Sequence, residues 1–547
     1  MRARHVAASV ALGAAMIAPL YGSTVRARAH ERPLCMPGGP PVTFSGEVAA
    51  SQARSYIVRP FEVAPGTTRV DVTYDWADKP PALPPTPLTQ TVFDLGLWDN
   101  HGYRAAQGFR GWSGSRAGRV AAGQPPVFIQ QDIAQRGYLP GTIEPGVWWV
   151  EIGVAAVGPT GAIWTAAVTC TDPDVGTPFT PDPVDPDHVA RPDPGWYHGD
   201  FHMHGFHSNP RAPDWADMVR EARDVRALDF LPITDYVTVQ HQRELGPVQR
   251  AFPDVLIWPG REVITYFGHA NALGETPNEV EYRHGFEDVS LGDVQAGTIA
   301  DGALFQVNHP TSYPGPVFAN FCRGCEFTLD GAIDLDEVAT MEVLTGPALV
   351  DPSALGGPST PVRIENPFMR TAIDRWEALL LAGHRITAVS GSDSKGVEGE
   401  GRRWGTNATA VYAEELSRPA LVASIRAGHA YVRTRGVHAS PALELTAVAP
   451  DGETGMFGDS FTADHVQVRV TVNGGRGELL QVTRNGTIAG LPVLITSDPF
   501  SYTFTATRVP AEEGPLGTFW RVDTFDLQSL TAIGNPIFLT GPAPRTP

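Results

Sequence analysis

The chain runs to 547 residues and carries 60 acidic against 41 basic side chains, a formal net charge of −19 at pH 7. That length exceeds one hydrophobic core, so two or three domains are expected. An acid excess with no basic stripe excludes a nucleic-acid backbone as partner and leaves a small-molecule substrate; 57 Gly and 50 Pro favour turns and short strands.

Residues 1–29 read as an export signal. Arg2, Arg4 and His5 precede an apolar run from Val6 to Leu20, and Ala27-Arg28-Ala29 supplies an A-x-A cleavage pattern. The run is short for a membrane span and no later stretch reaches that length, so an exported protein, periplasmic or extracellular and without a span, is expected. Export makes the cysteines legible as disulfides. Cys35 and Cys170 bracket the first β-rich block and predict a staple across it. In FCRGCEF, Cys322 and Cys325 predict a local loop disulfide, because a zinc knuckle would need two further ligands nearby.

Residues 30–171 alternate Val, Ile, Tyr and Trp with polar residues between Pro and Gly breaks, the pattern of an N-terminal β-sandwich. The Pro- and Asp-dense stretch 172–195 cannot propagate a helix and reads as a stiff linker. From 196 to 437 strand-like runs alternate with helical ones: APDWADMVREARDVRA before ALDFLPITD, TAIDRWEALLLAG before HRITAVSGSD. That alternation predicts a βα domain with parallel strands. RPALVASIRAG predicts its last helix. Residues 438–547 return to short strands, a second β-sandwich, with Asn-Gly pairs marking hairpin turns.

Chemistry collects at the expected C-terminal ends of the middle-domain strands. WYHGDFHMHGFH, residues 196–207, places His198, Asp200, His202 and His204 at alternate positions. Later ends deliver Asp235 and Tyr236, then Glu262, His269, His309 and Asp393. A βα barrel gathers such ends at one pole. Imidazoles and carboxylates packed together are costly unless a cation neutralises them, so a metal centre is expected. Two histidines two apart on a strand point the same way and can grip one ion. A mixed His and carboxylate set suits one or two divalent transition ions, Zn, Mn, Fe or Co, better than Ca or Mg.

GDFHMH followed by ITDY, PGREV, GHANALG, VNHP and SGSDSKG resembles the polymerase and histidinol-phosphatase (PHP) superfamily, metallohydrolases on a distorted, TIM-like βα barrel, and within it the CehA/McbA, carbaryl-hydrolase-like branch. The resemblance covers about 198–395 and implies a barrel flanked by the two sandwiches. It further implies that His202, His204, Glu262 and Asp393 hold a first metal, with Glu262 bridging to a second held by His269 and His309. The sequence departs from that pattern at a third site, where Asn209, Tyr236 and Lys395 replace an acid and two histidines. An empty third site is therefore expected, with the Lys395 ammonium and the Tyr236 phenol in its place.

The implied activity is hydrolysis of an ester-type bond (phosphoester, carboxyl ester or carbamate) by a metal-activated water. Asp235 is placed to orient a ligand imidazole or accept a proton, and Lys395 or Tyr236 to protonate or stabilise the leaving oxygen. A different class stays open: a metal-containing binding or carbohydrate-recognition protein without turnover. An amidohydrolase-type barrel would want a carboxylated Lys on a middle strand, where Glu262 and His309 stand instead. Asp200 is expected to support the ligands, and His198 has no assigned role. His207, His241, His284, His384, His429 and His438, with Arg402 and Arg403, are expected to be solvated.

Overall fold

The computed structural model describes residues 32–81, 86–355, 359–397 and 401–541; the expected leader lies outside them. The N-terminal block forms two sheets. One runs in the order Leu34–Cys35, Ser55–Val63, Gly146–Ala156, Val92–Trp98, Phe109–Trp112, the other Val42–Val48, Ala162–Thr171, Arg69–Asp78, Val127–Gln130. In Arg69–Asp78 the buried positions alternate with half-buried ones, as the pleat of a strand covered on one face requires. Phe61, Leu95, Leu97, Val150 and Ile152 of the first sheet share one apolar cluster with Val70, Val72, Ile129, Trp164 and Val168 of the second. Each such side chain contributes roughly 1.5–3 kcal/mol by leaving water. The expected Cys35–Cys170 disulfide is present and links the two sheets across 135 residues of chain.

In the middle region the strands Gly195–Gly199, Phe230–Ile233 and Leu256–Ile264 pair in parallel, as do Leu304–Val307, Val338–Thr345 and Thr387–Gly391. The two trios are joined by an antiparallel strand, His269–Leu273, which is where the expected parallel alternation breaks. Four residues, Thr265 to Gly268, make the reversal: the Thr265 hydroxyl donates to the Gly268 carbonyl at 2.6 Å and accepts from the Phe267 N–H at 3.1 Å. That local turn leaves no room for a crossover helix. Among the described residues the whole is β-rich with few helices, the longest being Pro367–Ala382. Its buried Met369, Ala372, Ile373, Trp376 and Leu380 repeat at helical spacing. It starts at the Asn366 cap and stops at Gly383, whose φ of 109° only glycine adopts cheaply.

Residues 201–204 thread between two strand ends. Phe201 and His204 donate backbone N–H groups to Ser390 and Ser394, while Thr234 donates to Met203. The ends of Phe230–Ile233 and Thr387–Gly391 are thereby held on either side of the HMH segment. The sheet continues beyond Gly195–Gly199 through Ala408–Ala413 and Ala430–Arg433 onto Leu530–Gly534 of the C-terminal region. There a second sheet, Ala442–Val448, His465–Asn473 and Phe500–Thr507, packs across a shared apolar cluster. Asn485-Gly486 is a tight hairpin turn with both φ angles positive, as expected. Asn473-Gly474 is not one, because the strands on its two sides belong to different sheets.

A buried polar seam locks the N-terminal block onto the middle region. Arg283, with no exposed side-chain surface, pairs with Glu151 at 3.1 Å, and Trp98 donates to the same carboxylate at 2.9 Å. The Tyr266 hydroxyl donates to Asp94 at 3.0 Å. Breaking one partner of such a pair leaves a buried charge and costs about 3–5 kcal/mol, so the seam fixes the relative position of the two blocks.

Candidate metal centre

The threaded segment presents His202 and His204 side by side, both fully buried, with Nε2 atoms 3.1 Å apart. Glu262, in the strand Leu256–Ile264, reaches them with Oε2 at 3.4 and 3.3 Å. The tight turn after that strand brings His269 back onto Glu262, Nδ1 to Oε1 at 3.1 Å. His309 follows the strand Leu304–Val307 and stands 3.5 Å from Glu262 Oε1; Asp393 follows Thr387–Gly391 and stands 3.1 Å from His204 Nε2. His309 and Asp393 hold positive φ values of 30° and 48°, a strained conformation that proteins concentrate at functional sites. All six expected ligands are thus brought to one place. Five of them form two overlapping groups, His202–Glu262–His309 and His202–His204–Asp393, and His269 joins through Glu262.

The proton positions follow from what each ring faces on its outer side. His202 Nδ1 lies 2.9 Å from a Glu342 carboxylate oxygen and His309 Nδ1 lies 2.9 Å from the Cys325 carbonyl, so both carry hydrogen there. Ser208 spends its hydroxyl hydrogen on Asp235 at 2.6 Å, which leaves its oxygen to accept from His204 Nδ1 at 3.0 Å. His269 donates from Nε2 to the Arg323 carbonyl at 2.9 Å. Four nitrogen lone pairs and two carboxylates therefore converge with no donor among them. Glu262 Oε2 is buried without any hydrogen-bond partner. Lys395 and Arg402 answer the Asp393 charge, but around Glu262 and the imidazoles only a bound cation or extra protons relieve this. Burial disfavours the charged His202, yet Glu262 and Glu342 outweigh it and hold the ring well above the usual imidazole range. Burial likewise opposes the Asp393 charge, but Lys395 and Arg402 keep that carboxyl well below the usual range. The donor set fits a metal ion.

The remaining expected residues fall beside this cluster. Lys395 Nζ sits 3.0 Å from Asp393 Oδ1. The Tyr236 ring lies 4.1 Å from the His204 ring and 5.2 Å from Lys395 Nζ, centroid to group. Asp235 accepts from the Gly205 and His207 N–H groups as well as Ser208, so it acts on His204 through the serine. Asp200 accepts from the His202, Ser392 and Gly405 N–H groups and braces the two ligand segments. Asn209 serves a turn instead, accepting from the Arg211 N–H. His198 pairs with Asp229 and Arg433, away from the cluster.

Three expectations of solvation are corrected. Arg402 binds Asp393 at 2.5 Å. His207 is tied to Glu244 at 2.8 Å and His241 is fully buried, its Nε2 on the Gly260 carbonyl at 2.6 Å; both are held by the packing of loops over the strand ends. Sequence reasoning missed Glu342, which accepts from His202, from the His309 N–H at 2.7 Å and from Thr345 at 2.6 Å. An acid inside the apolar run VATMEVLTG was the available signal. It also missed Arg116, from the N-terminal block, whose guanidinium lies 4.3 Å over the Tyr236 ring.

Two cavities open on the cluster. One, of about 230 Å³, is lined by Glu262, His269, Asp393, Lys395 and Tyr236 and roofed by Trp112 and Arg116. The other, of about 390 Å³, is lined by His309, Tyr313, Asn366, Phe368 and Arg402. No protein-family model and no curated protein matches the chain. Among solved structures it is similar to a two-domain protein from Bacteroides vulgatus ATCC 8482, described as containing a predicted PHP-like metal-dependent phosphoesterase. That likeness has 15% identity and a TM-score of 0.35, over 66% of this chain and 99% of the other. At that score the reading of the site stands on its own geometry.

Proposed function

We propose that the protein is an exported, metal-dependent hydrolase of the PHP type, CehA/McbA-like, with a distorted barrel between two β-sandwiches. The observation that carries this is the convergence of His202, His204, Glu262, His309 and Asp393 in two overlapping groups, with His269 on Glu262, beside two cavities that Glu262, His269, His309 and Asp393 help to line. His202, His204, Glu262 and Asp393 would hold one divalent transition ion, and Glu262, His269 and His309 a second. Bound there, such an ion supplies a Lewis acid and acidifies water near neutral pH.

The chain's own groups complete an ester-cleaving site. Glu342, Ser208 and the loop carbonyls at Arg323 and Cys325 hold each ring by one nitrogen and leave the other toward the cluster. Burial pushes the Tyr236 phenol up, so at neutral pH it carries a proton it can share with a leaving oxygen. Lys395 lies beside that phenol as a cation for developing negative charge. The test is hydrolysis of p-nitrophenyl phosphate, bis(p-nitrophenyl) phosphate, p-nitrophenyl acetate and an aryl N-methylcarbamate, before and after chelation. Turnover of at least one ester that chelation abolishes and metal restores is the expected result. Tightly held metal with no turnover on any of them overturns the reading in favour of a binding protein.

A further inference from the structure

The segment Cys322–Cys325 is closed by a disulfide, as the sequence predicts, and it lies against the metal centre rather than at a remote surface. Two of its carbonyls make specific contacts. That of Arg323 accepts from His269 Nε2 at 2.9 Å, and that of Cys325 accepts from His309 Nδ1 at 2.9 Å. The two rings thus donate through opposite nitrogens, and the loop dictates which one each leaves for a ligand. Gly324, between them, has a φ of 97°, and a Cβ there would lie 2.8 Å from His269 Nε2 and 2.4 Å from the Thr265 carbonyl. No side chain fits there, so the glycine backbone packs directly against His269.

Little regular structure holds this segment otherwise. Between Val307 and Asp330 the only helical element is a single turn, Pro316–Phe318. The S–S bridge closes a ring that contains the Arg323 carbonyl and fixes the Cα of Cys325, from which the second carbonyl leaves the ring. We propose that the Cys322–Cys325 disulfide is a positioning element of the metal centre: it holds the Arg323 and Cys325 carbonyls against His269 and His309, and so sets the tautomer and aim of both rings. The proposal rests on the reading of these histidines as metal ligands. Partners of this kind, one shell behind a ligand, typically change metal affinity by about 10- to 100-fold when lost.

The bridge is also the more accessible of the two disulfides. Cys322 and Cys325 are among the residues lining both cavities, whereas Cys35 and Cys170 are 1% and 2% exposed. The experiment compares the full chain with its Cys322→Ser/Cys325→Ser variant by equilibrium dialysis against Mn²⁺ and against Zn²⁺, followed by elemental analysis. A wild-type protein that binds neither ion sinks the metal-centre reading itself. Given binding, at least one equivalent should weaken by about 10-fold or more in the variant, while the thermal midpoint of the metal-free protein stays close to wild type. Affinities all within about 2-fold of wild type, short of the loss such a partner causes, overturn the proposal. Should the double variant not fold, mild reduction and alkylation of the native protein, confirmed by a titre of two thiols, replaces it. The same weakening of metal binding then supports the proposal, and unchanged affinity overturns it.

Discussion

Replacing Glu342 with Gln is the sharpest test of the centre, because it changes almost no volume and touches no proposed ligand atom. Glu342 is fully buried, with one oxygen 2.9 Å from His202 Nδ1 and the other 2.7 Å from the His309 N–H and 2.6 Å from the Thr345 hydroxyl. A carboxylate accepts on both sides; an amide accepts on one and donates on the other. If the amide NH₂ faces His309, two N–H groups confront each other, at about 1–3 kcal/mol for a buried donor left unpaired. If it faces His202, the ring must give up its Nδ1 hydrogen and carry it on Nε2, the atom aimed at the cluster. Either way a loss of about 10- to 100-fold in metal affinity is expected, ~1.4–2.8 kcal/mol. Competition against a calibrated chelator measures it, with circular dichroism as the control for folding. A Glu342→Gln protein that folds and binds metal within about 2-fold of wild type would refute the tautomer argument.

Further outcomes follow from other sites. Glu244 is depressed to about 2: burial opposes its charge, but His207, Trp215 and Gln240 outweigh it. A depressed acid adds stability that is present above its unfolded pKa, near 4.5, and is lost as pH falls toward 2. Glu244→Gln should cost roughly 1–3 kcal/mol in urea unfolding at pH 7, a gap that narrows below about pH 4.5; a gap constant with pH would contradict the assignment. Removing the Cys35–Cys170 bridge frees a 135-residue loop in the unfolded chain and should lower unfolding free energy by about 2–5 kcal/mol. With metal content held equal, Lys395→Ala should reduce turnover by about 10²-fold or more; full turnover in both this variant and Tyr236→Phe would remove them from the reaction. Saturating metal at about 100 times its Kd should stabilise the fold by ~2.7 kcal/mol, read as a rise in thermal midpoint.

The ligand cluster was legible because imidazoles and carboxylates at the ends of apolar strands have few other uses. His202, His204, Glu262, His269, His309 and Asp393 fall at or just past the ends of strand-like runs, and folding only had to bring those ends together. The braces were harder to see. Ser208 looks like any turn serine, and a carbonyl such as that of Arg323 carries no side-chain signal at all. Arg402 and His241 sit in polar stretches that composition assigns to solvent, and only the way their loops fold back onto Asp393 and Gly260 pairs them. The antiparallel His269–Leu273 strand escaped for a related reason: its turn is specified by one threonine hydroxyl, whereas helix–strand alternation is read from many residues.

Arg116 comes from one block and stacks over Tyr236 of another, while Ala430–Arg433 of the middle region is hydrogen-bonded to Leu530–Gly534 near the C-terminus. Cutting the chain at either apparent boundary would therefore remove a wall of the cavity or bare a sheet edge. For protein engineers the smallest exchangeable part is close to the whole chain, and grafting residues 196–437 alone onto a new scaffold would transplant the cluster without its roof or its floor joists. New specificity is better sought by varying Trp112–Arg116 in place, where a change in the roof leaves the six converging side chains untouched.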